Sequence, residues 1–241
     1  MDFNNFINKL SQKISHKNLI VIIVFLCIAI IAIIGGYLKR NNDLSTQQAI
    51  ITSTDTAQEI PPMVVIDPGH GGWDPGAMNG KTSEKDIVLS ISLEIEKLLE
   101  QKNIDYYMVR TDDTYVSLED RARIANEKKG RLFISIHNNS FTDAAQSGIL
   151  TTFNPYSPTG KDMAIIMQSK IKNLGMKNRE IMPRPNLYVL RHTEMPSLLL
   201  EIGFLSNKKD LKLLTDDEFQ KNCALQIVSG IEEILDKYIN N

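Results

Sequence analysis

VVIDPGHGG, residues 64–72, is the stretch on which the fold turns. Val64, Val65 and Ile66 follow one another without a polar residue between them, the pattern of a short strand buried on both faces. The run stops at Asp67, Pro68 and Gly69, and His70 follows, with Gly71 and Gly72 behind it. Glycines of that kind supply backbone angles that other residues avoid. A buried strand therefore delivers a histidine into a tightly turning loop.

Downstream, strands and helices alternate. Lys85 to Gln101 places Ile87, Ile91, Ile95 and Leu98 on one helical face. Ile104 to Val109 reads as a strand. Ser117 opens a second helix, with Asp120 placed to close a capping box and Leu118, Ala122 and Ala125 on its buried face. Arg131 to Ile136 is a further strand. Thr159 to Leu174 is helical, its stripe being Met163, Met167, Ile171 and Leu174; these methionines read as core filler. Strands are expected at Leu187 to Leu190 and Leu198 to Ile202. Thr215 and Glu218 then cap a last helix whose apolar positions include Phe219, Cys223, Ile227, Ile231 and Ile234. The alternation is that of an α/β fold: a single three-layer domain with a mostly parallel central sheet flanked by helices. Such folds bind ligands beyond the carboxyl ends of their strands, where His70 falls.

Upstream, Leu19 to Ile34 is unbroken apolar sequence. With Gly35 to Leu38 it gives about 20 residues, the length of a membrane span. The expected organisation is an N-terminal cytoplasmic segment (1–18), a transmembrane helix (19–38), a polar linker ending in Pro61 and Pro62 (39–62) and the α/β domain (63–241). Lys9, Lys13 and Lys17 before the span, against Lys39 and Arg40 after it, slightly favour an inside N-terminus. The chain is then membrane-anchored through residues 19–38, with its domain outside the cytoplasm. The formal net charge is -2 over 241 residues, and no basic stripe marks a nucleic-acid partner. Cys27 and Cys223, one in the span and one in the last helix, form no disulfide framework.

The four histidines are His16, His70, His137 and His192. His137 ends LFISIH (132–137), so two of them sit at carboxyl ends of apolar strands. Glu201 lies in another such strand, where an unpaired charge is costly. Glu84 precedes the helix at Lys85. Two imidazoles, a carboxylate and a water make a catalytic zinc site, with a second carboxylate as general base. The spacing is not a local motif, and HExxH is absent. Read singly, His70 fits a turn, His137 a satisfied core histidine and Glu84 a helix-start carboxylate favoured by the dipole. Only Glu201 resists a bland account.

Taken together, VVIDPGHGGWDPGA (64–77), SEKDIVL (83–89), RTDDTYVSLEDRARIAN (110–126), LFISIHNNS (132–140) and LLLEIGFLSN (198–207) resemble the zinc-dependent N-acetylmuramoyl-L-alanine amidases of the Amidase_3 family. The stretches occur in the family's order. The resemblance implies one zinc ion per chain, held by His70, Glu84 and His137, with Glu201 as catalytic acid and base. It implies cleavage of the amide between the lactyl group of N-acetylmuramic acid and L-alanine, on peptidoglycan glycan strands with stem peptides.

Asn138 departs from the Ala many members carry after the second histidine, which bears on a groove contact. Arg191, taken to follow a strand, is the second candidate for substrate contact, through a peptide carboxylate. Arg121 and Arg123 have either ion-pair roles with helix neighbours such as Glu119 or a part in substrate binding. His192 reads as a surface residue and Asn207 as a local cap. No wall-binding or inhibitory element is visible, which leaves regulation to timing, the anchor or an accessory protein. The short chain is similar to the membrane-anchored germination-specific members, which act on spore cortex so that muramic lactam can form. The alternatives are a vegetative cell-separation autolysin and a non-catalytic peptidoglycan-binding protein, which should lack one of the four site groups.

Overall fold

The computed structural model describes residues 27–36 and 64–239. They fall into two units, residues 27–36 and residues 64–239. In the first unit, residues 27–36 are helical and exposed.

This corrects the expected transmembrane helix. At about 1.5 Å per residue the described helix spans about 15 Å, half of a bilayer's hydrocarbon core. Among the described residues no helix is long and apolar enough to cross a membrane. The span over 19–38, the membrane contact through it and the membrane-anchored placement outside the cytoplasm are corrected together. Residues 19–26 and 37–38 lie outside the described residues, as do the expected segments 1–18 and 39–62.

The second unit is an α/β domain. Its elements are β1 (Val64–Pro68), β2 (Met78–Asn79), β3 (Thr82–Ser83), α1 (Glu84–Gln101), β4 (Tyr106–Met108), α2 (Leu118–Glu127), β5 (Leu132–Asn139), β6 (Ile149–Phe153), α3 (Gly160–Ile171), β7 (Asn178–Pro183), α4 (Tyr188–His192), β8 (Ser197–Phe204), α5 (Lys208–Leu214) and α6 (Asp217–Tyr238). The central sheet has the order β4-β1-β5-β8-β6-β7. Every neighbouring pair is parallel except β6 with β8. β2 and β3 form a separate hairpin ahead of α1.

The pleat explains the three layers. Val64, Ile66, Leu132, Ile134, Ile136, Leu198, Leu200 and Ile202 join a core with α1, α3 and α6. Their alternates, Val65, Phe133 and Leu199, join a second core with Ala125 of α2 and with Val189 and Leu190 of α4. Successive side chains point to opposite faces, so a strand covered on both sides is apolar throughout. Parallel pairing then aligns the carboxyl ends of β1, β5 and β8: Pro68 stands opposite Ile136, and His137 opposite Glu201.

Four local expectations change. Leu187 to Leu190 belongs to the start of a short helix, because a four-residue apolar run does not distinguish helix from strand. β7 is a polar edge strand whose sequence carries no alternation. The last helix is capped by Asp216, whose side chain accepts from the Phe219 amide, while Thr215 ends the unanticipated α5. On α2, Leu118 is exposed and Arg121 takes the buried position beside Ala122 and Ala125.

Candidate metal centre

The loop after β1 is wound the wrong way for ordinary residues. His70 has φ 58°, followed by Gly71 at 128° and Gly72 at 58°. A non-glycine residue in that region costs free energy and persists only where its surroundings over-determine it. Two buried arginines do so here. Arg110 donates from Nε to the Pro68 carbonyl at 2.9 Å and from Nη2 to the Gly69 carbonyl at 2.6 Å. Arg121 donates from Nη1 to the Pro68 carbonyl at 2.7 Å and from Nη2 to the His70 carbonyl at 2.6 Å. Three consecutive carbonyls of the turn are thus held by guanidinium forks. Asp67, itself buried, accepts from Arg121 and from Ser135. Gly69 is required for a different reason: a Cβ there would lie 2.3 Å from the His137 ring.

His70, Glu84 and His137 converge, their ligand atoms all lying within 4.8 Å of one another. His70 comes from the loop after β1, His137 from near the end of β5, and Glu84 from the first turn of α1. Glu84 Oε1 lies 3.1 Å from His70 Nε2 and 3.0 Å from His137 Nδ1, and accepts from the Asn138 amide at 2.9 Å. Its Oε2 accepts from the Ala77 amide at 2.9 Å. Burial opposes ionisation of Glu84, but the hydrogen bonds and charges of the two imidazoles hold it well below the usual carboxylate range. Burial likewise opposes a charged His70, and the Glu84 and Asp74 carboxylates overcome it, raising that ring above its ordinary value. Asp74 Oδ2 lies 2.8 Å from His70 Nδ1. An Nδ1–H that donates a hydrogen bond to Asp74 leaves Nε2 as the free ligand atom; carboxylates orient metal-binding histidines in this way.

The donor set fits a metal ion. Two imidazole nitrogens and one carboxylate oxygen are the ligands of an open divalent site, and both imidazoles are only partly buried. His70 and His137 line a cavity of about 270 Å³ with Asp74, Tyr115 and Leu118, so the site has an approach for substrate.

Glu201 stands across the β5–β8 pairing from His137. Part of the residue is exposed, yet its Oε2 is enclosed with no hydrogen-bond partner among the described residues. Burial pushes its carboxyl above the ordinary value. A carboxylate placed beside the cluster but outside it, with a free oxygen and a raised pKa, is suited to exchanging protons.

The remaining candidates sit elsewhere. Asn138 is buried, and its Nδ2 donates to the Ile202 carbonyl, joining β5 to β8 where their register shifts. Arg191 lies exposed on α4, not after a strand. Arg121 pairs with Asp67, and Arg123 with Asp120 and Glu127, so neither takes Glu119. His192 is exposed and stacked on Tyr188. Asn207 caps α5, accepting from the Lys209 and Asp210 amides. Asp74 and Arg110 are the functional residues that sequence reasoning missed. The available signal for Asp74 was a carboxylate four residues beyond His70, across a glycine turn; for Arg110 it was a charge placed directly after an apolar strand.

Residues 64–233 match the Amidase_3 family, described as N-acetylmuramoyl-L-alanine amidase. A probable cell wall amidase, LytH of Staphylococcus aureus, is 34% identical over 172 residues, covering 70% of this chain and 57% of the relative. The chain thus spans little more than half the length of that relative. Among solved structures, the catalytic domain of CwlV, an N-acetylmuramoyl-L-alanine amidase from Bacillus (Paenibacillus) polymyxa var. colistinus, superposes with a TM-score of 0.69 at 37% identity, covering 73% of this chain and 98% of that one. The CwlD amidase from Clostridioides difficile, solved in complex with the GerS lipoprotein, gives a TM-score of 0.69 at 34% identity, with 72% and 98% covered.

Proposed function

The chain belongs to the Amidase_3 family of N-acetylmuramoyl-L-alanine amidases, and from that premise we propose that it is a zinc-dependent hydrolase of the amide between the lactyl group of N-acetylmuramic acid and the L-alanine of a peptidoglycan stem peptide. The observation that carries the reading is the convergence of His70, Glu84 and His137 within 4.8 Å, with Glu201 opposite His137 in the neighbouring strand.

His70 Nε2, Glu84 Oε1 and His137 Nδ1 are the atoms that would hold the ion. Zinc in such a site makes a water more acidic and a carbonyl more electrophilic. The chain's own residues do the rest. Asp74 keeps the His70 ring in one tautomer, and the arginine forks keep its backbone in place. Glu201 takes a proton from the attacking water on its free oxygen. It returns that proton to the alanine nitrogen as the carbon–nitrogen bond breaks, leaving a lactyl carboxylate and a free amine. Asn138 ties β8 to β5 beside Glu201 and acts through that placement. Arg191 remains the candidate for a stem-peptide carboxylate at the surface.

For the biological setting we favour cortex peptidoglycan, where removal of the peptide precedes muramic-lactam formation. The likeness to CwlD over 98% of that chain supports this, and its complex with a lipoprotein supports an accessory protein here. The likeness to LytH supports the competing reading of a vegetative wall amidase.

The test is mass spectrometry of peptidoglycan fragments incubated with the full chain, alongside Glu201→Gln and a chelator-treated sample. Intact stem peptides released by the zinc-loaded wild type alone are expected. A folded, zinc-loaded wild type that releases none, even with cortex substrate and an accessory lipoprotein supplied, would overturn the reading in favour of a peptidoglycan-binding protein.

A further inference from the structure

Trp73 is the chain's sole tryptophan, and it is 76% exposed. It is nonetheless firmly held. Gly71 and Asp74 exchange both backbone hydrogen bonds, at 3.0 and 3.1 Å, and close a tight turn with Gly72 and Trp73 at its tip. The Gly72 amide donates to Asp113 Oδ1 at 2.9 Å. Lys85 Nζ donates to the Gly72 carbonyl at 2.8 Å and to Asp113 Oδ2 at 2.7 Å. The turn is therefore tied from two sides, to the loop after β4 and to α1.

The indole rests against Tyr115, ring centroids 4.3 Å apart and planes tilted by 32°. Tyr115 is itself 38% exposed. Gly72 makes the contact possible, since a Cβ there would come within 2.9 Å of Tyr115 Cβ. Tyr115 also lines the cavity that holds His70 and His137. Two aromatic faces that contribute to neither core are thus locked in place at the rim of the metal cavity. An exposed apolar surface built beside a site, and braced rather than left loose, is a surface for binding.

We propose that Trp73 and Tyr115 form a saccharide subsite, taking a sugar ring of the glycan strand next to the muramic residue whose amide is at the metal. The proposal rests on the amidase reading. A pyranose ring presents one face of C–H groups with weakly positive hydrogens and carries its hydroxyls around the edge. The face of an aromatic ring is negative and apolar, and it complements such a surface while the hydroxyls stay in water. A stem peptide fits this place less well. The acidic groups nearest the turn, Asp74 and Asp113, oppose peptide carboxylates, and Lys85 is already paired with Asp113. The subsite would make the chain prefer glycan strands to an isolated muramoyl peptide.

With one tryptophan in the chain, its emission reports on this turn. The zinc-loaded full chain is titrated with an oligosaccharide of alternating N-acetylglucosamine and N-acetylmuramic acid that carries no stem peptide, and separately with free stem peptide. Saturable quenching by the saccharide alone is expected. Tyr115→Ala should retain the emission and weaken half-saturation about tenfold. In the amide-release assay, Trp73→Ala should raise KM for long strands about tenfold, with zinc content and thermal unfolding recorded to exclude misfolding. A response to stem peptide and none to saccharide, or no response to either, would overturn the proposal. The uncleaved saccharide separates the two readings. Quenching without amide release refutes the amidase reading alone, and amide release without quenching refutes the subsite alone.

Discussion

Arg121 Nη1 lies 2.6 Å from Asp67 Oδ1, with both side chains almost completely buried. The same guanidinium reaches the carbonyls of Val116, Pro68 and His70, so the pair fastens α2 to the loop that carries His70. The free energy of the pair is bound up with the shape of that loop. Removing one partner leaves a charge buried without compensation, which costs about 3–5 kcal/mol. Arg121→Ala should therefore lower the melting temperature sharply and reduce zinc content in whatever folds. Arg121→Lys should recover little, because an ammonium with three donors cannot serve four divergent acceptors as the planar fork does. Calorimetry together with metal analysis checks both. Wild-type zinc content in a folded Arg121→Ala would contradict the role assigned to the pair.

Asp74 acts on His70 through one hydrogen bond, of 2.8 Å to Nδ1. Asp74→Asn keeps the shape and removes the charge, so the ring loses its fixed tautomer without losing its place. Partners of this kind are worth about 10–100-fold in metal affinity. The expected result is zinc affinity reduced within that range, at nearly wild-type stability. A competition titration against a chromogenic chelator measures it, and unchanged affinity would remove Asp74 from the site.

Gly69 lies directly against the His137 ring. Gly69→Ala would put a methyl group 2.3 Å from His137 Cε1, a distance no relaxed structure keeps. Either the ring turns away or the β1 loop shifts, and each response separates the ligands. We expect loss of zinc binding to exceed loss of secondary structure, read by metal content against circular dichroism. A variant that binds zinc normally would show that the loop has slack absent from this geometry.

What could be read from the chain alone follows from how each residue is held. β1, β5 and β8 are covered on both faces, so their sequences are apolar throughout and stand out. His70, His137 and Glu201 follow or interrupt those runs, where a polar group attracts notice, while Glu84 opens the helix after the β2–β3 hairpin. Arg110 and Arg121 were less legible. Most of the acceptors that tie them to the β1 loop are backbone carbonyls some forty to fifty positions away in the chain, and main-chain acceptors leave no mark in a sequence. Arg121 takes a buried place on α2 beside Ala122 and Ala125, while Leu118, expected on the buried face, points outward. β7 was missed because an edge strand need not alternate, and α4 because four apolar residues suit either conformation. The apolar run at 19–34 suggested a membrane span on composition alone, and the described helix is too short to bear that out.

Glu201 gives a prediction whose sign can be worked out. Burial raises its carboxyl above the ordinary value of 4.5, an effect that His137 opposes and Glu84 reinforces. The folded protein therefore holds this proton more tightly than the unfolded chain does. As pH rises from the ordinary value toward the raised one, the unfolded chain ionises first, and stability falls across that window. Below the window both states are neutral at this group; above it the loss is complete. Metal-free Glu201→Gln should consequently be more stable than metal-free wild type at about pH 8, by about 1.4 kcal/mol for every tenfold difference in proton affinity between the folded and unfolded states. The gap should close at about pH 4. Activity should run the other way, since only the ionised carboxylate accepts a proton: the acid limb of amide release is expected above the usual carboxylate range, and Glu201→Gln should release nothing at any pH. Melting curves of the chelated proteins at the two pH values decide the matter. A wild type more stable than Glu201→Gln at the higher pH would mean that the ionised carboxylate is well solvated or well paired, and the case for a raised, proton-exchanging Glu201 would be lost.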